Sequence, residues 1–300
     1  MCRERDKFNR RFIIMNRKID VIICSNKNLI VLKRLVDQIY NQKGSFNFNI
    51  FIIHQYKKNF LMPNFLKKKN IFYKNLKKNS LSFAKNEGIK LSISNIVCFL
   101  DDDVSISKNY FLLNWNFLQK KKCDLAFSKI NIINSNKPFS QNMKNFDQQI
   151  NFFNTSSCLA SSMWINFKNG KKSYFDTNFG LGSLYGSGEE TDFIFSALEK
   201  KKNIQYSSTT TIYHPNSLSI EKNNLKISSK FILYGKGQGA IFKKRILQKK
   251  NYFYLLYLNS IVKSLLAILF FTLTFRKGDI IKHSSLLLGK ISGFLKYQIN

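Results

Sequence analysis

The sequence predicts a doubly wound α/β fold built on a mostly parallel sheet flanked by helices. Two observations carry that expectation. IDVIICS (Ile19–Ser25), FNIFII (Phe48–Ile53) and NIVCFL (Asn95–Leu100) are near-continuous apolar runs of strand length, the pattern of strands covered on both faces. The segments between them have helical spacing, and strands alternating with helices imply βαβ crossovers rather than hairpins. A chain of 300 residues with 44% apolar content can bury one large core.

The elements follow in order. Ser25, Asn26 or Asn28 can cap the helix after the first strand, in which Leu32, Leu35, Val36, Ile39 and Tyr40 share one face. Ser80 stands as an N-cap before a second helix, LSFAKNEGIKLS. Residues Asn131–Asn154 are polar and read as loop, SSMWINF (Ser161–Phe167) as a further strand, and FDTNFGLGSLYGSG (Phe175–Gly188) as a glycine-rich connection. EETDFIFSALEKK then reads as a helix with Glu189, Glu190 and Asp192 in its first turn, where the macrodipole favours acids.

Charge sets these acids apart. The chain holds 49 Lys+Arg against 17 Asp+Glu, a formal net charge of +32. Such a field attracts nucleotide phosphates, anionic lipids or nucleic acid. No recognisable nucleic-acid-binding motif accompanies it, so no specific nucleic-acid partner is expected. The five cysteines are odd in number and form no CxxC pair, which fits reduced thiols in a cytoplasmic setting. The apolar stretch in the basic N-terminus, Phe12–Met15, is too short for a signal-peptide core, so export is not expected.

The tail is different in kind. Tyr252–Phe275 is apolar except for Asn259, Ser260 and Lys263, with Lys243, Lys244, Arg245, Lys249 and Lys250 before it and Arg276 and Lys277 after it. A spanning helix needs about 20 apolar residues, and Lys263 near its centre would cost roughly 3 kcal/mol. Docking on the inner face of an anionic membrane fits better than a span or a packed core helix. HSSLLLGKISGFLKYQI forms a second amphipathic piece.

Ligands of doubly wound sheets bind beyond the carboxyl ends of the strands. Asp101, Asp102 and Asp103 follow NIVCFL at that end, and Ser25 ends the first strand, so distant positions meet at one rim. Adjacent carboxylates there suit a hard divalent cation, Mn²⁺ or Mg²⁺, shared with substrate phosphates.

SLSFAKNEGIKLSISNIVCFLDDDVSISKNYF resembles the nucleotide-sugar site of family 2 glycosyltransferases, which have the GT-A fold, a helix like Leu-Ser-x-Ala-Arg-Asn-x-Gly and a strand ending in Asp-x-Asp. Lys85 stands where the family usually has Arg. FDTNFGLGSLYGSGEETDF resembles a later segment with a Glu-Asp-like pair, YHPN (Tyr213–Asn216) a His position, and YGKGQGA (Tyr234–Ala240) a Tyr-Gly-Lys-Gly segment. The likeness runs from Ile19 to Ala240, and its strength lies in four weak motifs in the right order.

The resemblance implies an inverting, metal-dependent transfer of sugar from a nucleotide-sugar donor to a saccharide or lipid-linked acceptor. It implies Asp101, Asp103 and His214 as metal ligands, and Ser25, Lys85, Asp101 and Asp102 as nucleotide contacts. Glu190 becomes the general base, with Glu189 and Asp192 as alternatives. His54 and Gln55 end the second strand where many members carry an acidic or small polar residue that reads the nucleobase. Two rivals are a sugar-nucleotide-forming nucleotidyltransferase and a non-catalytic membrane-surface protein. CSNKNLIV has no glycine for the phosphate loop of the first, and the second has no use for two acidic sites. We expect a basic extension at 1–17, a main domain at 18–245 divided at 130 into nucleotide and acceptor halves, and a basic, apolar helical tail at 246–300.

Overall fold

The computed structural model describes residues 17–27, 29–55, 63–135, 137–215 and 224–298. Asn28, one of the candidate caps, and Cys2 lie outside them. The strands are β1 (Arg17–Ser25), β2 (Phe46–His54), β3 (Ile71–Asn75), β4 (Ile96–Asp101), β5 (Ser105–Ile106), β6 (Leu125–Ile132), β7 (Gln148–Gln149), β8 (Met163–Asn166) and β9 (Ile204–His214). The helices are α1 (Lys33–Tyr40), α2 (Leu81–Leu91), α3 (Tyr110–Lys121), α4 (Glu189–Glu199), α5 (Asn224–Leu247), α6 (Tyr252–Leu273) and α7 (Lys277–Lys296).

One sheet runs in the order β3-β2-β1-β4-β8-β6-β9-β5, with β7 alongside β9. β3, β2, β1 and β4 are mutually parallel. β1 lies between β2 and β4, so the order reverses beside it and opens a crevice at the ends of β1 and β4. Within these strands Val21, Ile22, Ile23, Ile50, Ile52, Ile53 and Val97 have no exposed surface, as strands covered on both faces require. Ser80 caps α2 by accepting a hydrogen bond from the Phe83 amide.

The mixed character enters with β8, which runs antiparallel to both β4 and β6. A parallel return needs a helical crossover, whereas the described residues between β6 and β8 hold only short 3₁₀ turns and β7.

Sequence reading did not anticipate α5. Gly235, Gly237 and Gly239 look like helix breakers, but α5 lies so close to α7 that side chains do not fit between them. A Cβ on Gly239 would overlap the Lys290 carbonyl oxygen, and one on Gly293 the carbonyl of Lys236. Gly239→Val is therefore expected to cost about 1–3 kcal/mol, read as a lower denaturation midpoint, because two packed backbones must separate. Unchanged stability would show that the helices do not meet there.

α5 runs through residue 245, and the tail continues from it as a packed unit. Lys290 of α7 donates to the Ser260 carbonyl and to Ser264 Oγ of α6, both at 2.8 Å. A second core of Phe179, Tyr185, Phe195, Ile241, Phe253 and Leu256 joins the tail to α4 and the glycine-rich loop. The outer side of α6 stays bare: Leu255 is 72% exposed, Leu266 59% and Leu269 58%. By length and composition α6 could cross a membrane.

Candidate active site

Several chain segments reach the crevice, and the register explains how the strand ends do so. Pairing sets Cys24 opposite Asp101 and Ser25 opposite His54, so the ends of β1, β2 and β4 align at one rim. β9 ends beside them at His214. A cavity of about 210 Å³ there is lined by Ser25, Lys27, Gln55, Asn79, Asp101, Asp102, Asp103, Leu181 and His214, among others.

The three aspartates have different surroundings. Asp102 is buried, accepting from Ser25 Oγ at 2.6 Å and Lys27 Nζ at 2.7 Å. Asp103 takes Lys27 Nζ on Oδ2 at 2.8 Å, while its Oδ1 is buried and accepts no hydrogen bond. His214 Nε2 lies 3.6 Å from Asp101 and 3.4 Å from Asp103. Burial alone would lower the His214 pKa, but Asp101, the Pro215 carbonyl and Asp103 outweigh it and hold the ring above its usual value.

Ligand atoms of Asp101, Asp103 and His214 all lie within 4.8 Å of one another, and the group fits a divalent ion. The Pro215 carbonyl, 2.8 Å from Nδ1, can only accept, so Nδ1 carries the proton and the neutral ring offers its Nε2 lone pair. The unpartnered Asp103 Oδ1 supplies an oxygen ligand without breaking another bond. Carboxylate oxygens with one imidazole suit Mn²⁺ or Mg²⁺.

A second charged group forms where α2 meets α4. Lys85 is buried, with Nζ 3.0 Å from Glu189 and 3.5 Å from Glu190. Burial opposes its charge, yet Glu189, Glu190 and Asp101 raise its pKa overall. The resemblance pointed Lys85 toward the nucleotide, and the structure sets its ammonium on the two glutamates. Glu190 keeps 23% of its side chain exposed, and its carboxyl is pushed up to about 7 by burial and by the negative charge of Glu189. Gly180, Gly182, Gly186 and Gly188 precede this pair with φ between +70° and +99°, a backbone that residues with a Cβ rarely adopt.

Asp192 is committed elsewhere. Its carboxylate meets Arg245 at 2.6 Å and Lys244 at 2.8 Å, which occupies both oxygens. At the second strand, His54 is fully buried between the Tyr73 hydroxyl at 2.9 Å and the Lys27 carbonyl at 2.8 Å, so it holds the loop that carries Lys27. Gln55 lines the cavity and donates to the carbonyls of Lys78 and Ser80.

Lys27 and Arg34 escaped sequence reading. Lys27 bridges two of the aspartates, and Arg34 donates to the Asp103 carbonyl at 3.3 Å. Lys27 stands just past the end of β1, at the rim where the aspartates converge, but among 49 Lys+Arg that place alone does not single it out.

Comparison with known proteins agrees with the fold. Among solved structures, Staphylococcus aureus TarS 1-349 is similar at 13% identity and a TM-score of 0.55, over 92% of this chain and 90% of that one. The same protein in complex with UDP-GlcNAc gives 13% identity and a TM-score of 0.53, over 95% and 93%. Against the longer S. aureus TarS chain, identity is 14% and the TM-score 0.52, over 74% of this chain and 43% of that one. At these identities the likeness shows a shared fold, the GT-A arrangement. No curated protein matches the sequence. The model described as Glycosyl transferase family 2 matches residues 20–183, more than half of the 300 residues, and the chain belongs to that family.

Proposed function

We propose that the protein transfers a sugar from a nucleotide-sugar to an acceptor hydroxyl with inversion, at the inner face of a membrane, in surface polysaccharide or glycolipid synthesis. The observation that carries the reading is one electrostatic site built from two acidic groups: Asp101, beside Asp103 and His214, also acts on Lys85 and Glu190. Asp101, Asp103 and His214 would hold Mn²⁺ or Mg²⁺, which supplies Lewis-acid neutralisation of a diphosphate leaving group.

The chain's own residues do the rest. Lys27 keeps Asp102 and Asp103 in place, and Lys85 fixes the two glutamates at the start of α4. Glu190, the more exposed of the two, takes the proton of the acceptor hydroxyl as that oxygen bonds to the anomeric carbon. The bond from that carbon to the diphosphate oxygen breaks on the opposite face, and its electron pair leaves with the nucleoside diphosphate.

A panel of nucleotide sugars assayed with Mn²⁺ tests the proposal, and UDP-GlcNAc belongs in it because TarS is similar in fold and has been solved with that compound. Hydrolysis or transfer of one donor is the expected result; no turnover of any donor by folded protein overturns it.

The membrane clause rests on the bare face of α6 and its basic flanks. Replacing Leu255, Leu266 and Leu269 together by Asn leaves the buried contacts of Phe253 and Leu256 intact. Cosedimentation with anionic vesicles is then expected to fall at least about tenfold, since each leucine buried in lipid contributes roughly 1.5 kcal/mol or more. Equal partitioning of variant and wild type would remove the membrane claim.

A further inference from the structure

A cavity of about 540 Å³ opens at the end of the sheet opposite the aspartates. Asn166, the last residue of β8, pairs with Ile96, the first residue of β4, and it lines this cavity together with Leu125 at the start of β6. The aspartate rim lies past the carboxyl end of β4, so the length of that strand, about 17 Å, separates the two cavities. The last turn of α4 and its C-cap Lys200 form a further wall.

Lysine is common in this chain, so a basic patch alone marks nothing. Here the lysines surround an apolar floor. Leu125, Ile165, Phe167, Phe193 and Ala197 line the cavity and keep at most 8% of their surface exposed. Lys168, Lys171, Lys172, Lys200 and Lys202 stand around them. Asp124 is the one acid among the described lining residues, and Lys168 at 3.1 Å and Lys202 at 3.5 Å already meet it. Lys172 Nζ donates to the carbonyls of Lys90 and Ser92, at 3.2 and 2.6 Å, where α2 ends. The carbonyl ends of α2 and α4 each carry about half a negative charge, so with Asp124 they offset roughly two of the lysine charges and leave about three.

That surplus over an apolar floor selects its ligand. A phosphate ester carries about −1.5 to −2 at neutral pH, and lysine binds phosphate as a point charge. A carboxylate would bring a single charge and leave more of the surplus unmet. Tyr174 lines the cavity with 48% of its surface exposed, which leaves its ring available to a flat group. The volume is that of a small-molecule site.

Phe193 joins this cavity to the glutamate pair. It stands one turn beyond Glu190 on α4 and stacks on Phe175, with ring centroids 4.6 Å apart. The Lys85 ammonium lies 5.2 Å from the Phe175 centroid and 3.0 Å from Glu189. Asn86, beside Lys85 on α2, holds the Phe175 backbone with two hydrogen bonds of 2.8 Å. One floor residue therefore supports the ring against which the lysine and its glutamates are set.

We propose that this cavity is a second binding site, for a small organic phosphate with a flat apolar group, and that its occupancy is transmitted through Phe193 and Phe175 to Lys85 and Glu190. The phosphate sits among Lys171, Lys172 and Lys200, and the flat group lies on Phe167 and Phe193. The site goes beyond the transferase reading and does not depend on it.

The test uses the full chain with 1-naphthyl phosphate as the probe, and 1-naphthol and inorganic phosphate as its two halves. Titration calorimetry should show the ester bound at least about tenfold more tightly than either half, as expected when charged and apolar contacts act on one ligand. Lys171→Ala/Lys200→Ala should weaken it about tenfold, while Lys67→Ala/Lys69→Ala, which removes the same charge just before β3 at the sheet's edge, leaves it unchanged. Ala197→Leu fills part of the cavity without altering charge and should weaken the ester by a similar factor. Lys27→Ala, which takes the lysine from the aspartate cavity, should leave its affinity as it was. The chain has six glutamates, so carboxyl-labelled glutamate gives a short NMR spectrum in which Glu190→Gln identifies the Glu190 signal. Saturation with the ester should shift that signal.

Equal binding of the ester and either half would overturn the site. So would equal losses from the two lysine pairs, or a loss in Lys27→Ala as large as in Lys171→Ala/Lys200→Ala. A bound ester that leaves the Glu190 signal in place would overturn the route to the glutamates. None of these readouts requires turnover, so inactivity toward every donor would remove the transferase reading and leave this site to its own measurements.

Discussion

Glu190→Gln is expected to lower turnover by about 10²–10⁴-fold, the range that a positioned general base contributes, with little change in donor binding. The substitution keeps the shape of the side chain and removes its proton-accepting oxygen. Wild-type kcat/KM should also fall about tenfold per pH unit below about 7, because the base works only when ionised and burial with the Glu189 charge pushes its carboxyl up to about 7. The sign is fixed by the role: protonation of Glu190 as pH falls removes the acceptor of the hydroxyl proton.

Glu189→Gln supplies an independent check on the same group. It removes the repelling charge and leaves Lys85 to Glu190 alone, and both changes favour the ionised carboxylate. The acidic limb of the profile should move to lower pH. A limb that stays in place, or normal turnover in Glu190→Gln, would assign the proton to another residue. Asp192 is poorly suited to take over, because Lys244 and Arg245 hold both of its oxygens.

Much of this arrangement was legible from periodicity and end signals. β1, β2 and β4 announced themselves because strands covered on both faces must be apolar throughout, and the N-cap at Ser80 marked the start of α2. His214 was reached only through the resemblance of YHPN to a His position of the family, whereas acids are scarce enough that DDD and EETD could be seen. Lys27 was invisible for the converse reason. Among 49 Lys+Arg, one lysine near a strand end carries almost no information until the fold sets it 2.7 Å from Asp102.

Other features depend on partners far away in sequence. α5 reads as broken because its glycines have no value in an isolated helix; their value is the close approach of α7. IQYSSTTTIYH gave no strong strand signal, since β9 contributes polar side chains such as Ser207 and Thr210 to a buried hydrogen-bond set with Ser128. Lys85 illustrates the limit for the site itself. Its position in LSFAKNEG was readable, whereas its burial against Glu189 and Glu190 needed the packing of α2 on α4, elements 104 residues apart at that contact.

Asp103→Ala should abolish metal-dependent uptake of donor and reduce turnover by roughly 10³-fold, because the Lewis-acid contribution to a phosphate leaving group is several kcal/mol and each 1.4 kcal/mol is a factor of ten. The expectation comes from a contrast within the triplet. Asp102 spends its oxygens on Ser25 and Lys27, so Asp102→Ala should chiefly loosen the loop after β1 and weaken donor binding in the presence and absence of Mn²⁺ alike. Asp103 gives only Oδ2 to Lys27 and keeps Oδ1 beside His214 and without a hydrogen bond. Its loss should therefore act through the ion: calorimetric binding of the nucleotide sugar that rises with Mn²⁺ in wild type should become insensitive to Mn²⁺ in Asp103→Ala. His214→Ala should produce the same insensitivity in milder form, since two carboxylates remain. If Asp103→Ala keeps the full Mn²⁺ response while Asp102→Ala loses it, the ion sits on the Ser25 side of the rim and the assignment of Asp101, Asp103 and His214 as its ligands is overturned.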